Sequence, residues 1–322
     1  MRRRSSIRVV VATCLVAWAV GGCGAEKASQ GGTPAADKPR IALIMKSLAN
    51  EFFATMEAGA RDHQQAHADE YDLLAEGIKD ELDVNRQVQL VEQMIGQRVD
   101  AIVIAPADSK ALVPVCKKAM DAGITVVNID NKFDDAVLQD KGVRIPFVGP
   151  DNRKGARAVA EHLAGRLRPG DNVAIIEGVP SAYNAIQRKL GFEDAMNAAG
   201  MVIATSQSAG WEMAKADKVV SAMITEAPDL KAVLCANDSM ALGAVSALRA
   251  AGRLGDVMVV GFDNISAVQE LLKKEEILAT ADQHADQLAV FGIEYALEMI
   301  RSKIAPADKE TPVDLITAEA MQ

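Results

Sequence analysis

From Arg40 onward the chain alternates short apolar runs with longer amphipathic stretches, and no other feature limits its possible folds so tightly. The runs are IALIM (41–45), YDLLA (71–75), AIVIA (101–105), TVVNI (125–129), NVAII (172–176), MVIAT (201–205), AVLCA (232–236), VMVVGF (257–262) and ILATA (277–281). Between them, residues 51–68, 84–97, 110–122, 152–167, 182–199, 213–226 and 239–251 carry helical periodicity. Strand and helix in regular alternation make a parallel α/β sheet with helices on both faces. The rhythm runs once to about residue 130 and restarts near residue 146, so two similar lobes are expected in preference to one very wide sheet. A chain of 322 residues has room for both, and its low aromatic share, 4%, suits helices packed on Val-, Ile- and Leu-rich strands.

The first residues belong to a different problem. MRRRSSIRVVVATCLVAWAVGGCG opens basic, continues apolar and ends in small residues before Cys23. The apolar stretch is too short to span a bilayer comfortably and has the length of a signal peptide. Val20-Gly21-Gly22-Cys23 has the form of a lipobox, predicting a signal over 1–22 and lipid on Cys23; a plain secretory signal is the alternative. Residues 24–39, GAEKASQGGTPAADKP, cannot bury enough apolar surface to order themselves and read as a flexible tether. The chain is thus expected outside the cytoplasm, periplasmic or at the cell surface, on a lipid anchor. Its formal charge of -9 argues against a nucleic-acid partner. Cys116 and Cys235, far apart in sequence, read as buried free thiols rather than a disulfide.

In an open parallel sheet, ligands sit at the carboxyl ends of the strands, so the residues after each run sample a pocket. Lys46, Ser47 and Asn50 to Phe53 follow the first run. Asp130 and Asn131 follow TVVNI, Asn237 and Asp238 follow AVLCA, Asp263 follows VMVVGF, and Asp282 and Gln283 follow ILATA. Capping of the next helix is the plainer explanation, and Ser47 and Asp238 fit it well. It does not explain ionisable or carboxamide groups at Lys46, Asp130, Asn237, Asp263 and Gln283 together. Carboxylates, carboxamides and a few cations suit a polyhydroxyl ligand, each of whose hydroxyls both donates and accepts. Phe52, Phe53 and Trp211 are candidates to cover its C–H faces, although Phe53 serves a core equally well.

These stretches carry a resemblance. KSLANEFF (46–53), VVNIDNKFD (126–134), VAIIEG (173–178), LCANDSMALGA (234–244) and VVGFD (259–263) stand in the order of the signatures of periplasmic sugar-binding proteins. From about residue 40 to the end, the chain resembles their ribose- and allose-binding branch, the type 1 receptors that feed ABC importers. The resemblance implies two doubly wound parallel-sheet lobes joined by a three-crossing hinge, with the ligand between them. It implies a first lobe of 40–149 plus 284–312 and a second of 150–283 plus 313–322. It also implies a first-lobe contact set of Lys46, Asn50, Phe52, Asp130 and Asn131. Asn184, Arg188, Trp211, Asn237 and Asp263 would come from the second lobe, and Gln283 from a crossing. In this reading Arg188 and ligand hydroxyls together satisfy Asp130. Ribose binders carry Arg where this chain has Asn131 and often Ser where it has Lys46. Lysine there looks more like the allose branch, although Glu51 replaces a common Pro and Phe53 a common Trp. The implied ligand is a hexopyranose, or a polyol of similar length, ahead of ribose. The implied partner is an ABC permease; no cofactor is expected, and the chain is expected to be a monomer.

An enzyme is disfavoured, since no GxSxG elbow, phosphate loop or GxGxxG after the first strand occurs, and GPDNRKGA (149–156) has the wrong spacing. His63 and His67 are spaced for a metal pair, but lie on a polar helix face without a third ligand, so no metal is expected. A sugar-responsive repressor shares this fold but needs an N-terminal helix-turn-helix, where this chain has an export signal. A receptor serving a sensor kinase or chemoreceptor would have the same binding lobes, and remains the alternative to an importer component.

Overall fold

The computed structural model describes residues 38–304 and 306–321. The signal segment, Cys23 and all but the last two residues of the tether lie outside the described residues.

Two six-stranded sheets organise the chain. The first contains β1 (Arg40–Ser47), β2 (Asp72–Ile78), β3 (Ala101–Ile104), β4 (Thr125–Ile129), β5 (Phe147–Pro150) and β11 (Lys309–Thr311), in the order β2-β1-β3-β4-β5-β11. The second contains β6 (Asn172–Glu177), β7 (Val202–Ser208), β8 (Leu230–Cys235), β9 (Met258–Val260), β10 (Ala279–Asp282) and β12 (Asp314–Thr317), in the corresponding order β7-β6-β8-β9-β10-β12. Every pairing is parallel except β10 with β12. The central strands are buried on both faces, which is why they read as unbroken apolar runs: Ile41 to Met45 and Ala101 to Ile104 are all fully buried.

The helices are α1 (Glu51–Ala66), α2 (Val84–Gln97), α3 (Val113–Asp121), α4 (Asp135–Asp140), α5 (Asn152–Ala164), α6 (Tyr183–Ala198), α7 (Met213–Glu226), α8 (Asp238–Ala250), α9 (Ser266–Lys273) and α10 (Ala285–Ser302). Helices α1 and α10 cover one face of the first sheet and α2 and α3 the other; α5 and α6 pair on the second sheet, as do α7 and α8. The chain passes between the lobes three times, after β5, after β10 and between β11 and β12. Several helix pairs meet at glycine: a Cβ on Gly191 would strike the backbone of Arg153 in α5, so only glycine permits this approach of α5 and α6.

Beyond the runs legible in sequence, the structure adds β5, β11, β12, α4, α9 and α10. Cys116 and Cys235 are free, and burial pushes the Cys116 thiol up to about 12. His63 and His67 stack with ring centroids 4.2 Å apart, and His63 Nδ1 lies 2.9 Å from the Tyr71 hydroxyl. Among the described residues no three His, Cys, Asp or Glu side chains are grouped to hold a metal.

Candidate ligand-binding site

The carboxyl edges of both sheets face one another across a small cavity. From the first lobe come Lys46 at the end of β1, Asn50, Phe52 and Phe53 at the start of α1, Glu81 after β2, and Asp130 after β4. From the second come Asn184 and Arg188 on α6, Trp211 after β7, Asn237 after β8 and Asp263 after β9, with Gln283 following β10. All but Asn50 are buried, so the two lobes are closed over the cavity. Of the candidates read from sequence, Asn131 alone is absent from the wall, and Glu81 is the one addition.

The buried charges are arranged within each lobe. Lys46 Nζ lies 2.9 Å from Asp130 Oδ2. That contact lies outside hydrogen-bond geometry, and the oxygen accepts from no other group in the protein. Across the cavity Arg188 donates from Nε to Asn152 Oδ1 (2.7 Å) and from Nη1 to the Ala236 carbonyl (2.9 Å), with Asp263 Oδ1 at 3.4 Å. Its guanidinium lies 3.7 Å from the Phe262 ring centroid. Arg188 therefore pairs with Asp263, not with Asp130 as the resemblance implied. Arg188 on α6 and Asp263 after β9 belong to the same lobe, whereas Asp130 follows β4 in the other. Burial pushes the Asp263 carboxyl well above its ordinary range, and Arg188 opposes that push. Gln283 Nε2 donates to Asp263 Oδ1 at 2.7 Å, leaving Gln283 Oε1 buried and unpartnered.

Three wall residues pay for their positions in backbone strain. Asp130 (φ 60°), Trp211 (φ 74°) and Asp263 (φ 126°) all have positive φ. For Trp, a bulky side chain, that is uncommon, and such outliers collect at functional sites. Trp211 fits only because residue 178 is glycine, since a Cβ there would fall inside the indole. Gly178→Ala is thus expected to unseat the ring, seen as a shifted Trp211 emission in the unliganded protein; an unchanged spectrum would show that the ring has another seat.

Asn131 has a different task. It is fully buried, and its Nδ2 donates to the Pro106 carbonyl at 2.9 Å. Its Oδ1 accepts from Ser109 Oγ in its own lobe and from the Asn184 backbone N–H (3.2 Å) in the other. Helix α6 begins after Ala182, which supplies no side-chain cap; Ser109 Oγ, accepting from Tyr183 N at 2.9 Å, and Asn131 cap it from across the cleft. Helix α9 likewise lacks a side-chain cap of its own, and Glu51 Oε1 of the first lobe accepts from Ser266 N at 2.7 Å. The capping roles considered for Ser47 and Asp238 fall instead to Asn50, which accepts from Phe52 N, and Asn237, which accepts from Met240 N. Ser47 Oγ ties down the Lys79 carbonyl. Asp238 accepts from Thr280 Oγ1 (2.8 Å) and Ile265 N (3.0 Å).

Asp238 is fully buried, and burial raises its carboxyl from 3.8 to about 7 despite those bonds. Between these values the folded chain holds a proton that the unfolded chain has lost. The resulting stabilisation is complete below pH 3.8 and disappears as pH rises through about 7. Melting temperature is expected to carry a falling component from pH 5 to 8 that Asp238→Asn removes; an identical slope in the variant would contradict it.

Residues 41–304 match the family described as a periplasmic binding protein domain. The chain is 62% identical over 286 residues to the D-ribose/D-allose-binding protein of Pseudomonas aeruginosa, covering 88% of this chain and 90% of that one. An ABC transporter solute-binding protein from Burkholderia multivorans superposes with TM-score 0.86 at 58% identity, covering 88% of this chain and 100% of its own. A second, from Actinobacillus succinogenes with bound D-allose, superposes at 0.82 with 35% identity, covering 88% and 98%. With both lobes matched in order, the chain belongs to the periplasmic binding protein family.

Proposed function

We propose that this chain is the substrate-binding component of an ABC sugar importer, capturing a monosaccharide between its lobes and delivering it to a membrane permease. The closed cavity carries the reading. It is walled by both lobes and lined with Phe52, Phe53 and Trp211, while the buried acceptor Gln283 Oε1 has no hydrogen-bond partner and Asp130 Oδ2 has only its ion pair with Lys46. Those acceptors call for a ligand rich in hydroxyl donors, and the aromatic rings cover apolar C–H faces. The resemblance to an allose-bound solute-binding protein makes an allose-like hexopyranose the first choice. Sugar shifts the lobes toward closure only through contacts that the closed state adds, and here these span both sheets.

Titration calorimetry on the chain from residue 24 onward, with D-allose, D-ribose and myo-inositol, tests this. Saturable binding of one sugar is expected, and none with the folded protein would refute the reading. Lipid on Cys23 and membrane anchoring form part of the same proposal. Cys23→Ala is expected to move the exported protein from the membrane to the soluble fraction, whereas unchanged partitioning would remove the anchor from the proposal.

A further inference from the structure

Glu81 is a wall residue that the strand pattern did not disclose, and its state in the cavity is unusual. It is only 6% exposed, and its Oε2 is buried without a hydrogen-bond partner. The other oxygen, Oε1, accepts from Asn50 Nδ2 at 3.2 Å. Neutralising Lys46 does not account for it: Asp130 already holds that ammonium at 2.9 Å, and among the described residues Glu81 forms no ion pair. Nor is it a loose surface side chain. Its loop is pinned by Ser47 Oγ to the Lys79 carbonyl (2.8 Å), by Leu48 N to the Ile78 carbonyl (3.3 Å) and by Leu82 N to Asp80 Oδ1 (2.9 Å).

Its position defines what it can do. Glu81, Asn50 and Trp211 line both the closed cavity and an outer cleft between the lobes, so these three side chains form the partition at the cavity's mouth. We propose that Glu81 is a specificity-determining residue of this site, its free oxygen accepting a hydrogen bond from a hydroxyl on the edge of the sugar that faces the cleft mouth. The inference rests on the sugar-binding reading above and adds to it a ring edge at which the site demands a donor. Burial pushes the Glu81 carboxyl up; Lys46 and Asn50 oppose this, while Asp130 and Asp80 reinforce it. A buried acceptor of this kind is costly while it lacks a donor. A sugar without the matching hydroxyl leaves it so, and the site rejects that sugar.

The test compares the parent chain, Glu81→Gln and Glu81→Asp, the last keeping the carboxyl group but withdrawing it from the cavity. Each is titrated by calorimetry with D-allose, D-ribose and the derivatives of each that lack one hydroxyl. Both variants are expected to bind the preferred parent sugar about tenfold or more weakly. For one derivative, the penalty seen with the parent chain should vanish in both variants, a pattern that general loosening of the loop does not produce. Undiminished affinity in folded variants, or penalties unchanged for every derivative, would overturn the assignment while leaving the sugar-binding reading intact. Failure of the parent chain to bind either sugar family would bring down both.

Discussion

Arg188→Ala is expected to abolish sugar binding and to lower the protein's own stability by about 3–5 kcal/mol, because it strands a buried partner. Arg188 and Asp263 lie in the same lobe, 2% and 6% exposed, so the pair does not depend on a contact between lobes. Removing the guanidinium leaves Asp263 facing the burial that already raises its pKa, with Gln283 as its remaining donor. It also frees Asn152 Oδ1 at the first residue of α5 and the Ala236 carbonyl, and uncovers the Phe262 ring. For a chain this long, that loss corresponds to a fall in melting temperature on the order of 10 °C. Lysine should not rescue it, since one ammonium cannot reproduce the planar fork that reaches three acceptors. A folded Arg188→Ala protein with parental melting temperature and affinity would contradict this assignment of the pair.

Asp130→Asn should weaken binding by about 2–5 kcal/mol, and it should also lower stability because it leaves the buried Lys46 ammonium without its counter-ion. Asp130 sits at φ 60°, a conformation that Asn tolerates and Ala does not, so asparagine isolates the charge from the backbone. What is lost is the counter-ion 2.9 Å from Lys46 and an anionic acceptor whose second partner the ligand supplies. Asp130→Ala should show the same loss of affinity plus a further fall in stability of about 1–2 kcal/mol from the strained turn. Calorimetry and thermal melts on the two variants separate these contributions; equal stability for both would mean the turn is not strained.

The wall of the cavity was largely legible in the sequence because parallel strands end at one edge. The residues after IALIM, TVVNI, AVLCA, VMVVGF and ILATA are therefore neighbours in space however far apart in sequence. Glu81 escaped that logic for a physical reason. Strand β2 lies at the edge of its sheet and is partly exposed, so its apolar run ends at Ala75 although the strand continues through Glu76 and Gly77 to Ile78. Strands β11 and β12 escaped because KET and DLIT are too short and too polar to show a period, and β5 because its four residues, FVGP, end in Gly-Pro. Partner choice was not legible either. Sequence placed Lys46, Asp130, Arg188 and Asp263 at one edge but could not say that each lobe closes its own pair. Asn131 was correctly placed beside Asp130, yet its carboxamide caps a helix of the opposite lobe, a contact that exists only when the lobes meet.

Trp211 provides the most direct measurement of the central claim, that a monosaccharide closes the two lobes around itself. Its indole lies 5.8 Å from Lys46 Nζ of the first lobe and 5.6 Å from the Arg188 guanidinium of the second. The other tryptophan, Trp18, falls within the predicted signal and is absent from a chain that begins at residue 24. Titrating that chain with D-allose, D-ribose and myo-inositol while following tryptophan emission should give a saturable change with one of them. A folded protein whose emission stays flat through the whole series, with calorimetry also silent, would contradict it.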